Sequence, residues 1–125
     1  MADVPLVDVK NTLNRSKPRD FRAKMRAALT ILSRFLEDNG LTNRPIQYCG
    51  DYIDDDERIL FSELTYEGLA LEREGAIGRW YDAHDRGRPP EDIRILERGL
   101  RKVRDRGLDY FLDHEWIEKW ATPVS

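Results

Sequence analysis

Residues 65–106 decide the fold and read TYEGLALEREGAIGRWYDAHDRGRPPEDIRILERGLRKVRDR. Apolar residues recur at helical spacing before and after the segment Gly87–Pro90. In that segment a glycine is followed by two prolines, a pattern that ends one helix and starts the next. We therefore predict two helices, about Thr65–Arg86 and about Pro90–Arg106, folded back on each other as an antiparallel pair.

The first of these helices contains three glycines, Gly68, Gly75 and Gly78. Each glycine costs roughly 1 kcal/mol relative to alanine in a helix interior. Three of them in one helix indicate either a close approach of another helix or a break near Gly75. The sequence leaves both interpretations open.

Two more helices are predicted on either side of this pair. The first spans about Asp20–Asn39, and the last spans about Leu108–Trp120. The apolar residues of the first form a single stripe at helical period: Phe21, Met25, Ala28, Leu29, Leu32, Phe35 and Leu36. We therefore expect a mainly α protein, with a compact four-helix domain over residues 19–125.

Two segments outside these helices allow more than one structure. In the N-terminal arm, residues 1–18, the apolar run from Val4 to Val9 favours either a short strand or a mobile tail. Residues 45–61 favour a small β-hairpin, because Gly50–Asp51 suits a turn between extended segments and residues 58–61 suit a second strand. The acids at 54–57 favour instead the first turn of a helix.

The composition is that of a folded domain with a heavily charged exterior. Of the 125 residues 40% are apolar and 36% are charged, and there are three Trp, five Tyr and four Phe. Disordered chains usually lack so many aromatic residues. The formal net charge is −3, whereas nucleic-acid-binding domains are usually strongly basic.

Features of the sequence also predict where the protein resides. Cys49 is the single cysteine, so the chain forms no internal disulfide, as is usual in a reducing compartment. The N-terminal residues lack the apolar core of a secretory signal. No apolar run approaches the roughly 20 residues that a membrane-spanning helix needs. We expect a cytoplasmic protein without a membrane segment.

The most conspicuous charged segment is a run of acids at Asp51, Asp54, Asp55, Asp56 and Glu57. The spacing does not match a calcium-binding loop, which needs alternating acids, a glycine and a terminal glutamate. Clustered acids speed association with basic surfaces, so we predict that this run contacts a protein partner. Trp120 is predicted to be an exposed anchor of the same interface, because Trp is enriched at binding hot spots.

A second charged set consists of Arg15, Arg19, Arg22 and Arg26, spaced i, i+4, i+7 and i+11. If the first helix extends back past Pro18, these side chains line one face. Phosphate backbones bind such stripes. An Arg-rich helix face that associates with nucleic acid is therefore the alternative to the protein partner.

Residues capable of catalysis are present but form no recognisable motif. His84, His114 and Cys49 lack the partners of a metal or nucleophile motif, and no phosphate-binding glycine loop occurs. We therefore expect no cofactor, no metal and no enzymatic activity. The expected function is a small protein-interaction module that acts as an inhibitor, adaptor or neutralising partner, by analogy with immunity and antitoxin proteins. A homodimer is compatible with this expectation.

Overall fold

The computed structural model describes residues 4–14 and 17–112, and it is mostly helical. In chain order the elements are β1 (Pro5–Asp8), α1 (Val9–Thr12), α2 (Arg19–Asp38), β2 (Tyr48–Cys49), β3 (Tyr52–Ile53), β4 (Arg58–Leu60), a 3-10 turn (Phe61–Glu63), α3 (Tyr66–Glu74), α4 (Ala76–Asp85), α5 (Arg94–Arg106) and α6 (Leu108–Phe111). Four of the helices have more than seven residues: α2, α3, α4 and α5.

Helix α2 confirms the predicted first helix to within one residue at each end. Its apolar stripe forms the buried face from Met25 to Leu36, as the helical period requires. Phe21 belongs to the same stripe but is 38% exposed, since it lies in the first turn. At the other end the Asn39 side chain donates to the carbonyl of Phe35 at 2.8 Å, and Gly40 turns the chain away with a positive φ.

The predicted helix Thr65–Arg86 is divided into α3 and α4. Gly75 has φ +97°, a left-handed conformation that glycine adopts without steric cost and that ends α3. The break near Gly75 is therefore the interpretation that the structure supports. Gly68 has a different role, because it lets α3 approach the loop after α2. A Cβ at this position would clash with the Leu41 carbonyl oxygen.

The break at Gly87–Pro90 is present, and α4 and α5 pack against each other across it. Gly87 has φ +99°, and its N–H donates to the carbonyl of His84 at 2.9 Å. The indole N–H of buried Trp80 donates to the carbonyl of Pro90 at 3.3 Å and ties the break to α4. Helix α5 begins at Arg94, four residues later than predicted, because residues 89–92 form a turn first.

The predicted last helix is described only as α6, Leu108–Phe111. Its continuation to Trp120 lies outside the described residues. The prediction of four helices thus agrees with the structure in its first and third members, while the second is two helices.

The extended segments form two small antiparallel sheets. Strands β2 and β3 form the predicted hairpin around Gly50–Asp51, and residues 54–57 do not open a helix. Strand β4 does not complete that hairpin but pairs with β1, with Val7 opposite Ile59. Val7 and Val9 of the N-terminal arm are 1% and 0% exposed and belong to the main core. The predicted boundary between the arm and the helical domain at residue 18 stays a prediction.

One core of buried residues links all the larger elements. It includes Leu32 of α2, Leu69 of α3, Trp80 of α4 and Leu96 of α5, each at most 1% exposed. None of the helices in the described ranges is long and apolar enough to cross a membrane.

Candidate functional site

Residues 51–56, which we call the acidic loop, run from the turn of the β2–β3 hairpin through β3 towards β4. They contain four of the predicted contact residues: Asp51, Asp54, Asp55 and Asp56. The Asp54 carboxylate accepts the N–H of Asp56 at 2.8 Å, which fixes the turn of the loop. Asp55 forms an ion pair with Arg26 of α2, and Asp56 lies 3.4 Å from the Lys10 ammonium. The acidic loop is therefore partly neutralised by cations of its own chain.

The predicted arginine stripe lies beside the same loop. Arg19 is exposed, and Arg26 is the residue paired with Asp55. Arg22 is partly buried, and its Nε is shielded from solvent without a hydrogen-bond partner among residues 4–14 and 17–112. Arg15 lies outside the described residues, as does Trp120. The two predicted surfaces thus meet at the Arg26–Asp55 pair.

Glu57 differs from the other acids of the run because it is buried, with 8% of its surface exposed. Arg44 donates to both Glu57 oxygens, at 3.1 Å and 2.8 Å, and also binds Glu63. The Glu57 carboxylate further accepts the N–H groups of Gln47 and Arg58 at 2.7 Å and 2.8 Å. This Arg44 network joins the loop after α2 to β4, so Glu57 holds the fold together and is not on the exposed acidic face.

The Arg44 network lowers the pKa of both its carboxyls. Burial raises the pKa of Glu57, but the hydrogen bonds from Arg44, Gln47 and Arg58 outweigh it. The hydrogen bond from Arg44 is the main cause that lowers the pKa of Glu63, which also accepts the N–H of Leu60 at 2.9 Å. Both carboxylates are therefore charged at neutral pH and fully engaged.

Glu72 of α3 differs from Glu57 and Glu63, because its pKa is raised and not lowered. Its Oε2 is shielded from solvent and has no hydrogen-bond partner in the described part of the chain. Burial raises the pKa of Glu72 to about 7. Its charge raises in turn the pKa of Tyr81, although burial is the larger cause of that shift.

The side chains considered for catalysis are not brought together. His84 stacks on Trp80 with ring centroids 6.3 Å apart, and its Nδ1 lies 3.4 Å from the Arg88 carbonyl oxygen. Cys49 is exposed on the β2–β3 hairpin, and His114 lies outside the described residues. Within residues 4–14 and 17–112 no three His, Cys, Asp or Glu side chains converge as metal ligands.

A groove of about 660 Å³ lies between α2 and α5 and was not anticipated from the sequence. We call it the α2–α5 groove. Its apolar lining comes from Ile31 and Phe35 on one side and from Ile93 and Leu100 on the other. Phe35 and Leu100 are 6% and 4% exposed, while both isoleucines are partly buried. The accessible apolar surface of the groove floor therefore comes mainly from Ile31 and Ile93, which lie over the buried Phe35 and Leu100.

Two arginines on the rim of the groove are already engaged. Arg104 donates to the Glu67 carboxylate at 2.8 Å and to the Asn39 carbonyl at 3.4 Å. Arg34 lies over the Tyr48 ring, 4.7 Å from its centroid, and donates to the Asp51 carbonyl at 3.3 Å. Arg104 is thus paired with a carboxylate outside the groove, whereas Arg34 has no carboxylate partner among the described residues and leaves one positive charge on the rim.

The remaining rim charges are mostly negative. Four exposed carboxylates have no hydrogen-bond or ion-pair partner in the described ranges: Asp38, Glu91, Glu97 and Asp105. Arg101 is the exposed cation of the rim without such a partner there. An apolar floor under an excess of unpaired carboxylates can bind an apolar group that carries positive charge.

A second cavity, of about 750 Å³, lies around the α4–α5 connection and is lined by Arg79, Arg86, Arg88, Asp82 and Asp92. Arg79 donates to both oxygens of buried Glu74, at 2.7 Å and 2.6 Å. Hydrogen bonds from Arg94 at 2.8 Å hold the pKa of Asp92 well below its usual range. Much of the charge in this cavity is thus internally paired, so the α2–α5 groove is the stronger candidate site.

Comparison with known proteins does not identify a family for this chain. The chain matches no protein-family model, no curated protein and no solved structure.

Proposed function

We propose that the chain is a non-enzymatic protein-interaction module that acts in the cytoplasm as an inhibitor, adaptor or neutralising partner. The observation that carries this proposal is the α2–α5 groove, with its apolar floor and its unpaired carboxylates. Apolar residues that remain accessible beside uncompensated charge are typical of surfaces that bind another protein. The partner surface would be basic.

The structure changes which acids support this proposal. Asp55 and Asp56 are paired with Arg26 and Lys10, and Glu57 is buried in the Arg44 network. Exposed pairs of this kind are worth little and exchange readily, so the acidic loop is a secondary contact surface. The carboxylates of the groove have no ion pair in the described part of the chain, so none has to be broken before they bind a cation of the partner.

The same pairing weakens the alternative of nucleic-acid binding. Arg26 would have to leave Asp55 before it could reach a phosphate, and the acidic loop next to it would repel the backbone. Binding of generic DNA and RNA over a salt series tests this alternative. We expect no binding even at low salt, where phosphate contacts are strongest.

The proposal is tested by site-specific cross-linking in the cells that express the chain. A photoreactive benzoyl-phenylalanine replaces Arg101 on the groove rim or, as the matched control, exposed Asp82 on α4. We expect one discrete protein adduct from position 101 and none from position 82. Native mass spectrometry of the purified adduct gives its stoichiometry.

A monomeric native mass together with no adduct from position 101 would exclude a stable partner at this surface. An adduct from position 82 alone would move the interface to α4 and contradict the assignment to the groove.

A further inference from the structure

We propose that the occupant of the α2–α5 groove is a basic amphipathic helix of the partner protein. This inference rests on the proposed function for the existence of a partner, but the chemistry of the occupant follows from the groove itself.

The walls of the groove favour a helix over an extended segment. Apart from residues 91–93, which precede α5, both walls are α-helices, whose backbone N–H and C=O groups are mostly bonded within each helix. An added strand needs free backbone groups at a sheet edge, and these walls offer none. A helix needs only apolar side chains that fit between those of α2 and α5.

The length of the groove matches a short helical segment. The lining residues of α2 run from Ile31 to Asn39, and those of the α5 side run from Glu91 to Asp105. At 1.5 Å per residue the helical parts of these spans, residues 31–38 and 94–105, correspond to roughly 11 Å along α2 and about 17 Å along α5. Two to three helical turns fit this distance, so about three apolar side chains on one face would cover the floor.

The charge of the rim selects a basic helix. Asp38 stands on the α2 wall, while Glu91, Glu97 and Asp105 follow the α5 wall along its length. Lysines or arginines beside the apolar face of the incoming helix would therefore meet carboxylates on both sides. Arg34 and Arg101 oppose a basic occupant at two positions, against the four carboxylates that attract it.

Charge also argues against the chain's own C-terminal residues as the occupant. Residues 113–125 contain Asp113, Glu115 and Glu118 against Lys119. Such a segment would add negative charge to an already negative rim, at an electrostatic cost. A partner of opposite charge is better matched.

The test uses the full chain and three fluorescent peptides of 18 residues. The first has leucines on one helical face and lysines elsewhere, the second replaces every lysine with glutamate, and the third has the first composition in scrambled order. Fluorescence anisotropy at physiological salt measures their affinities. We expect the Leu–Lys helix to bind about tenfold or more tightly than either of the others.

Charge-reversal variants locate the bound peptide. The E97K/D105K variant changes two exposed rim acids and should weaken Leu–Lys binding about tenfold. The D82K/D85K variant changes the net charge equally at two exposed positions of α4 outside the groove and should weaken binding less than about twofold. Equal losses in both variants, or equal binding of the ordered and scrambled peptides, would overturn the proposal.

Self-association is a separate outcome of the same experiment. If the chain sediments as a dimer and E97K/D105K turns it into a monomer, a second copy fills the groove and the partner helix is excluded. If the Leu–Lys helix fails to bind but position 101 still yields a cellular adduct, the proposed function stands and the helical occupant is wrong. If the Leu–Lys helix binds but no adduct forms in cells, the groove does bind a basic helix, but the proposed function as a protein-interaction module is wrong.

Discussion

Glu57 and Asp55 show that the role of an acid in this chain depends on which cation reaches it. Both belong to one acidic run, so the sequence suggested a shared exposed surface. Arg44 lies 13 residues before Glu57 and is brought back to it by the loop after α2, a closure that no local pattern reveals. The charge of the run was predictable from sequence, whereas its division into a buried acid and exposed acids was not.

The first residue-scale prediction concerns Glu57→Gln. The amide keeps the size of the side chain but removes the charge that Arg44 and two backbone N–H groups bind, so we expect a loss of about 2 kcal/mol of unfolding free energy at pH 7. Urea denaturation followed by circular dichroism measures it. The matched control is Asp55→Asn, which removes an exposed ion pair and should cost less than about 1 kcal/mol.

The pH dependence of the same variant gives an independent check. Because the pKa of Glu57 is lower in the folded chain than its ordinary 4.5, its ionisation stabilises the fold above pH 4.5. That contribution is lost as the pH falls through the lower, folded pKa. The difference in stability between the native chain and Glu57→Gln should therefore shrink below pH 4.5. A constant difference down to pH 3 would contradict the Arg44 network.

Glu72 is predicted to have the opposite pH dependence. Its pKa rises from 4.5 to about 7 on folding, so the folded chain binds the proton more tightly and loses stability as the pH rises between these values. Glu72→Gln abolishes this loss. Relative to the native chain, the variant should gain on the order of 2 kcal/mol between pH 4 and pH 8. Parallel stability curves for the two proteins would show that Glu72 is solvated.

At the level of secondary structure, hydrophobic periodicity predicted the extent of a helix better than the contacts between helices and strands. The stripe of α2 and the break at Gly87–Pro90 follow from local patterns, and both are present. The pairing of β1 with β4 joins residues about 50 positions apart, so the local sequence of neither strand predicts it. The glycines of α3 and α4 suggested a close helix contact, but the tight helix–helix contact involves Gly99 of α5.

The element-scale prediction compares two Gly→Ala substitutions. A Cβ at Gly99 would lie 2.3 Å from the Cβ of Ala76 and 2.9 Å from Glu74 Oε2, so α5 would have to move away from the α3–α4 turn. We expect Gly99→Ala to destabilise the protein by about 2 kcal/mol. Gly78 has open space around its position on α4, and Gly78→Ala should stabilise by about 0.5 to 1 kcal/mol. Thermal and urea unfolding measure both changes, and equal effects would contradict the packing of α5.

At the scale of the whole molecule, the surfaces expected from the sequence combine in an unexpected way. The acidic loop and the arginine stripe are adjacent and partly neutralise each other through Arg26 and Asp55. The α2–α5 groove is formed by residues 31–39 and 91–105, which are far apart in sequence, so neither helix alone indicates it. Sequence patterns predicted a basic protein partner, while the surface now proposed to receive it follows from tertiary packing.

The α2–α5 groove is where we expect a basic partner helix to bind. Titration of the isotope-labelled full chain with the Leu–Lys helix, followed by two-dimensional amide NMR, tests it most directly. We predict that the largest chemical-shift changes fall on residues 31–39 and 91–105. Changes centred on residues 51–56, or none at all, would contradict the claim.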